Sequence, residues 1–379
     1  MRVVFWGTYD KGKPRTRILL RGLQEAGVDL LEIHADVWAD VEDKGHITGV
    51  WRKLRLLPHL LGSYPGLIWR YLRAPAHDAV IVGYMGHLDV LVLWPFAKLR
   101  GVPVIWDTFL SIYNTVVEDR RMLAPSHPLA WLLFAWEWLA CRAARKVVLD
   151  TRAHAEYFRE TFGLRREKLS SILVGAETES FPPSQGHGTN TGPLTVLFYG
   201  QFIPLHGIET IVRAAQAAHG EPIRWIIIGR GQEEDRIRAL IDEAPAAIKW
   251  IEWVNFEELR NYIDQADICL GIFGDTAKAA RVIPNKVFQV LSAGAPLITR
   301  DSPAIRELLS PDMPGISLVP PSDPAALLEA VHDFAARRRP ARPLHRDIAE
   351  SIMPRALGKG LLDVIFDCED GDETAMRRS

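Results

Sequence analysis

The sequence predicts an α/β protein built from two doubly wound parallel-sheet domains, and three observations carry this. The chain has 379 residues, more than one compact α/β domain usually holds. Short, nearly uninterrupted apolar runs alternate with helix-length amphipathic stretches, the pattern of strands covered on both faces. That pattern stops at the Pro-, Gly- and Ser-rich stretch 182–193 and then restarts.

In the first half, strands are expected at 2–7, 28–36, 78–84, 102–109, 146–151 and 170–177, with helices such as 15–27 between them. In the second half they are expected at 194–200, 223–229, 248–254, 267–273, 295–301 and 315–320, with helices including 207–218 and 257–266. A further helix begins at Asn285, where Val287, Val290 and Leu291 recur at helical spacing, and ends at Gly294. The organisation is therefore an N-terminal domain over 1–182, a linker over 183–193 and a C-terminal domain over 194–340. Residues 341–367 are read as C-terminal helices able to cross back to the first domain, and 368–379 as a polar tail. Ligands of doubly wound sheets bind beyond the strand C-termini, so a cleft between the two domains is the expected site.

Composition narrows the classes. Net charge is −2 with 48% hydrophobic residues, which speaks against a nucleic-acid partner. Cys141, Cys269 and Cys368 are odd in number and widely spaced, forming no zinc signature and no disulfide framework, as in a reducing cytosol. The chain starts directly with an apolar strand, so no signal peptide is expected, and no run of about 18 apolar residues suggests a membrane span.

The helix at Asn285 poses an electrostatic question. A helix N-terminus carries about +0.5 of an elementary charge and favours acids, yet this one follows Arg281 and holds Lys286 in its first turn. Either both side chains are simply exposed, or the positive potential awaits an anion. Elsewhere, Gly7 and Gly12 bracket a strand-to-helix turn that lets backbone amides approach a ligand. Gly200 and Gly207 bracket a second such turn, and Gly229-x-Gly231 follows a third strand, with Glu234 where a dinucleotide fingerprint would have glycine.

Strand, glycine, six residues, glycine and helix, then "IIGRG", "EELRNYIDQADICL" and "NKVFQVLSAGAPLIT", in that order, resemble the family-4-type retaining glycosyltransferases. "LVGAETESFPP" resembles that family's entry into its interdomain linker, and the likeness runs strongly from about 169 to 320 and more loosely from 2 to 152. The resemblance implies a GT-B fold, two Rossmann-like domains facing a cleft, with a nucleotide-diphosphate sugar on the C-terminal domain and the acceptor on the N-terminal one. It implies no metal and no cofactor, because cations and a helix N-terminus hold the leaving diphosphate. The implied donor-binding set is Gly7, Gly200, Gln201, His206, Gly229, Arg230, Trp253, Val254, Arg281, Asn285, Lys286 and Gln289.

The sequence departs from the family at several positions. Gln201 and His206 stand where Arg and Lys are usual, Arg281 and Gln289 replace the pair of acids eight apart, and Phe109 takes the place of a histidine. Gln289 still accepts a hydrogen bond from a ribose hydroxyl. His206 would act best protonated, its pKa raised by a nearby diphosphate; an exposed structural histidine is the other reading.

Asp107, Asp119, Arg281 and Lys286 are the catalytic candidates. Either Asp would orient the acceptor hydroxyl or steady developing oxocarbenium charge; a helix-capping or loop-bracing role is equally open. Thr8, Tyr9, Asp10, Tyr84, Ser111, Tyr113 and Arg120 are the acceptor-binding candidates, expected to face the cleft.

Segment 51–74 holds five Arg or Lys residues, no acid, and Trp51, Trp69 and Tyr71 among leucines, which suits an anionic bilayer surface; a pair of ordinary covering helices with solvated arginines is the other reading. The aromatic run 128–144 is read instead as a buried or half-buried core helix. The expected function is transfer of a sugar, with retention, from a nucleotide-diphosphate donor to a lipid-linked or polysaccharide acceptor, in the cytoplasm at the inner face of a membrane. The alternative is a catalytically impaired relative that serves as membrane-associated partner of another transferase; an epimerase on the same fold is a third, less supported reading.

Overall fold

The computed structural model describes residues 1–38, 50–184, 192–337 and 342–376, and only the backbone of 50–57 and 369–376. Residues 185–191 of the expected linker and the end of the polar tail lie outside the described residues. The chain forms two units, 1–173 with 354–379, and 174–353.

In the first unit the elements run β1 (Arg2–Gly7), α1 (Pro14–Glu25), β2 (Asp29–His34), α2 (Val50–Leu72), β3 (Ala79–Val82), α3 (His87–Leu99), β4 (Val104–Asp107), α4 (Pro128–Ala143), β5 (Lys146–Leu149), α5 (Arg152–Phe162) and β6 (Leu169–Ser171). All strand pairs are parallel, in the order β2-β1-β3-β4-β5-β6. Alternation along the strands sorts the core into two layers. Val4, Trp6, Val82 and Trp106 point toward α2 to α5, whereas Val3, Phe5, Ile81 and Ile105 point toward α1 and the last helix.

The second unit runs β7 (Leu194–Tyr199), α6 (Ile208–Ala217), β8 (Ile223–Ile228), α7 (Glu234–Glu243), β9 (Ile248–Ile251), α8 (Phe256–Gln265), β10 (Ile268–Leu270), α9 (Asn285–Ser292), β11 (Leu297–Arg300), β12 (Ile316–Val319), α10 (Pro324–Ala336) and α11 (Arg346–Ser351). Its parallel sheet has the order β12-β11-β10-β7-β8-β9.

The final helix, α12 (Pro354–Met376), belongs to the first unit. It lies against α1 at backbone distance: a Cβ on Gly22 would come within 2.2 Å of the Pro354 carbonyl, and one on Gly358 within 2.1 Å of Gly22. Leu361 and Ile365 complete the layer under β1.

Two boundaries differ from the sequence expectation. Residues 174–182, assigned to the first domain, belong to the second unit. Ser292 at the end of α9 donates to the Phe181 carbonyl, Ser184 N–H donates to Ala293, and the Phe181 ring meets Phe256 edge-on. Residues 342–353 stay with the second unit as well; Ile352 accepts the Ala176 N–H.

Each sheet has one point where the chain reverses its direction of growth, between β1 and β3 in the first and between β7 and β10 in the second. Loops there diverge to opposite faces and leave a crevice at the strand C-termini, the preferred ligand position of such sheets.

Candidate functional site

At the β7/β10 reversal the chain can close its loops only because of glycine. Gly200 ends the strand with φ +143°, and Gly229 beside it has φ +149° and would place a Cβ 1.9 Å from the Gly200 carbonyl. A Cβ on Gly207 would lie 2.4 Å from Gly274 N, and one on Gly274 2.3 Å from the Pro204 carbonyl. The loop after β7 and the loop after β10 therefore touch backbone to backbone.

The first turn of α9 delivers Lys286 to this point. Pro284 precedes the helix and no side chain caps its N-terminus. The lysine is only 5% exposed, and among the described residues its Nζ has no hydrogen-bond partner. It sits 3.7 Å from the centroid of the Phe198 ring. A Cβ on Gly200 would fall 2.8 Å from Nζ and 3.1 Å from His206 Cε1, so amine, imidazole and the bare Gly200 backbone share one small volume. Burial pushes the Lys286 ammonium well below its usual range.

His206 is buried too. Its Nδ1 is bonded to the Gln201 carbonyl, which places the proton on Nδ1 and leaves Nε2 as an acceptor. Burial first, and Lys286 second, hold the ring well below the ordinary histidine value. The reading of His206 as an exposed structural histidine is thus corrected; in the ligand-free protein the low-dielectric site beside a second cation disfavours the imidazolium, so protonation would have to come with the diphosphate.

The Tyr199 hydroxyl donates to Gln289 Oε1 at 3.0 Å and to the Lys286 carbonyl at 3.2 Å, which fixes the face of α9 that carries both residues. Asn285 is exposed at the helix start, as are Gln201 and Arg230 on the neighbouring loops. Arg281 is half-buried on the preceding turn, where its Nε donates to the Ala277 carbonyl. Trp253 and Val254 are not brought to Lys286. They line an open groove of about 990 Å³ beside β9 and α8, with Lys249, Glu258 and Tyr262.

In the first unit the β1/β3 reversal carries Gly7 and Thr8. Thr8 is held by Asp89 in the first turn of α3: its carboxylate accepts the Thr8 N–H at 2.7 Å, the Thr8 hydroxyl at 3.0 Å and the Tyr64 hydroxyl at 2.6 Å. A Cβ on Gly7 would strike the same carboxylate at 2.2 Å. Tyr84 is half-buried with its ring edge-on to Phe109 at 5.4 Å, and burial with nearby Asp10 pushes its phenol up to about 12.

Several acceptor-side expectations need correction. Asp107 does not face solvent: it and Arg15 are each 1% exposed and joined by hydrogen bonds of 2.5–3.0 Å. Burial pushes the Asp107 carboxyl up and the guanidinium opposes it. Arg15 also donates to the carbonyls of Ile172 and Leu149, so the pair ties β4, β5 and α1 together. Ser111 is likewise spent internally, its hydroxyl donating to buried Glu137, which also accepts the Tyr113 backbone N–H and contacts His87; the half-buried Tyr113 ring lies edge-on to Phe134. Tyr9 is buried, its hydroxyl on Glu32 and its ring stacked on His34. Asp10 is buried and accepts the Gly12 N–H. Asp119 ends a π-helical turn, Asn114–Asp119, half-buried, with Arg120 exposed beyond it.

Residues 193–337 match the family model described as "Glycosyl transferases group 1", and residues 12–175 match "Glycosyl transferase 4-like domain". No curated protein sequence matches significantly. Among solved structures, a sucrose-phosphate synthase from Thermosynechococcus elongatus superposes with a TM-score of 0.66 at 16% identity, covering 100% of this chain and 99% of that one. Anabaena Alr3699/HepE in complex with UDP and glucose gives 0.60 at 13%, covering 100% of both. An E. coli structure described as trehalose-6-phosphate bound with UDP-2-fluoro glucose gives 0.63 at 10%, covering 96% and 99%. At such identities the structures establish the fold, two Rossmann-like units of GT-B type. The two family matches together span most of the sequence, and the chain belongs to the family-4-type glycosyltransferases.

Proposed function

We propose that the protein moves a sugar, with retention and without a metal, from a nucleotide-diphosphate donor to a lipid-linked or polysaccharide acceptor. One observation carries the proposal: Lys286, a buried amine with no hydrogen-bond partner among the described residues, stands at the N-terminus of α9, which no described side chain caps, where the second sheet reverses. An unpaired buried cation is unfavourable in isolation, and an arriving diphosphate removes that cost while accepting the helix amides. In the transition state the diphosphate gains charge as the glycosidic bond breaks, so contacts to Lys286 and the amides strengthen when they matter. Arg281 supplies a second cation from the preceding turn. Gln289, oriented by Tyr199, receives the ribose, while Arg230 lies beside the base.

The acceptor belongs to the first unit, at the loop of Gly7 and Thr8 and the rim of Tyr84, with Asp119 and Arg120 as the remaining polar candidates. Asp107 is left with a positioning role, holding Arg15 beneath Phe109. The reaction is placed in the cytoplasm, at the inner membrane face, with segment 51–74 in contact with lipid. A thermal-shift screen of UDP-, GDP- and ADP-sugars tests the donor site, followed by a transfer assay with the best donor. Absence of any shift would remove the reading.

The internal use of Asp107 and Ser111, together with Phe109 at the family's histidine position, favours a second reading: a transferase relative that binds donor but turns over little and supports a partner enzyme. Donor hydrolysis by the purified chain, abolished by Lys286→Ala, decides against it.

A further inference from the structure

The outer surface of the first unit is unlike the rest of the molecule. Helices α2, α3 and α4 all cover the same side of the first sheet, and α3 packs against both of its neighbours. Their sequences contain two acids, Asp89 and Glu137, and both are 1% exposed. Acids are common in the chain as a whole, 47 Asp and Glu among 379 residues, so three helices showing none to solvent is a strong asymmetry.

What they show instead is apolar and cationic. Trp131 is 75% exposed, and Leu132 and Leu139 extend the same outward stripe of α4. Trp94 and Leu99 on α3 and Trp69 on α2 add to it. Of the expected buried or half-buried core helix, α4 is the half-buried form: Ala140 and Cys141 meet the sheet on one face only.

The charges accompany the tryptophans. Arg73 lies over the Trp69 ring at 4.0 Å, Lys98 over Trp94 at 5.2 Å, and Arg142 over Trp138 at 3.5 Å. At the C-terminal ends of α3 and α4 the cations continue into an open groove of about 1250 Å³, where Lys98, Arg142, Arg145 and Lys168 outnumber Glu167 and Asp367. No helix among the described residues is long and apolar enough to cross a membrane.

We propose that the outward face of α2, α3 and α4 docks onto an anionic lipid bilayer, with Trp131 and Leu132 of α4 as its main apolar insertion and the paired arginines and lysines on lipid phosphates. Indole rings beside cations suit the headgroup layer, where the ring is half-dehydrated and the charge meets phosphate. The absence of exposed acid on the three helices reduces the repulsion that an ordinary mixed-charge surface would meet. The inference rests on the membrane-face part of the proposed function, not on its donor chemistry, and moves the principal contact from segment 51–74 to α3 and α4.

The test is sedimentation of the full chain with phosphatidylcholine vesicles, with and without phosphatidylglycerol, at low and high salt. The wild-type protein is expected to bind only the anionic vesicles and to be released by salt. The double variant Trp131→Ser/Leu132→Ser, and separately Arg73→Glu/Lys98→Glu, are each expected to lower partitioning by about tenfold. All four side chains are exposed, so thermal melting should match wild type. Equal binding to both vesicle types, no binding, or an α4 variant that binds as wild type overturns the proposal; so does a variant that only converts a dimer to a monomer. Loss confined to Arg73→Glu/Lys98→Glu keeps an electrostatic membrane contact and removes the insertion through α4. A UDP-sugar thermal shift, read in parallel, keeps the donor reading separate from every one of these outcomes.

Discussion

Lys286 Nζ lies 3.7 Å from the Phe198 ring centroid, beneath a Gly200 whose missing Cβ would stand 2.8 Å away. The ring face attracts the charged amine, whereas burial favours the neutral one, and burial dominates here. The free site therefore holds the Lys286 proton less tightly than an exposed lysine would, and a bound diphosphate would favour the charged form.

Proton linkage should be measurable. The folded-state pKa of Lys286 lies below the ordinary 10.5, so between those two values the unfolded chain binds more protons and this residue's contribution to stability rises with pH. Diphosphate binding has the opposite slope, because a proton is taken up with the ligand. UDP affinity should weaken as pH rises through that window, by at most about tenfold per pH unit for one proton. Calorimetry in buffers of different ionisation enthalpy reads the uptake directly. In Lys286→Met it should vanish.

Gly200→Ala combines backbone strain at φ +143° with intrusion on Nζ. It should cost about 1–3 kcal/mol of stability and also weaken UDP binding. Gly220→Ala is the control: φ is +88° but nothing lies within 4 Å of the new methyl, so stability falls while UDP affinity stays. Equal affinity loss in both would place the effect in general loosening of the unit.

Asp107→Asn leaves the Arg15 guanidinium buried without its counter-charge. A loss of about 3–5 kcal/mol is expected, read by urea denaturation. If Asp107 instead served the reaction, stability would change little while turnover collapsed.

Asp89→Ala removes the acceptor for the Thr8 amide, the Thr8 hydroxyl and the Tyr64 hydroxyl together. Stranding these buried donors should cost at least about 2 kcal/mol, with faster amide exchange at Thr8 as the local sign. Unchanged exchange there would show that another group holds the loop.

The sheets were legible because strands buried on both faces write themselves as apolar runs, and every expected strand is present within a few residues. The strand expected over 170–177 is the poorest match: only Leu169–Ser171 pairs, because the chain then leaves for the second unit. The glycine turns and α9 were legible for a similar reason, since backbone contact and helix spacing are local properties. What the sequence did not carry was the direction of polar side chains. Asp107, Ser111 and Tyr9 sit at strand ends where ligands bind, yet their partners, Arg15, Glu137 and Glu32, come from distant segments. Asp89 reads as an ordinary acid in a first helical turn. Lys286 shows the converse: its charge is visible in the sequence, but its lack of a partner appears only in three dimensions.

The central claim is that Lys286 is kept buried and unpaired for a diphosphate, and thermal denaturation of Lys286→Met with and without UDP tests it most directly. Removing an unpaired buried amine should raise the unliganded Tm by about 2–4 °C for each kcal/mol relieved. Saturating UDP should stabilise wild type, by about 2.7 kcal/mol at a hundredfold excess over Kd. The variant should gain little. A variant that starts no higher than wild type and responds to UDP just as strongly would contradict the account.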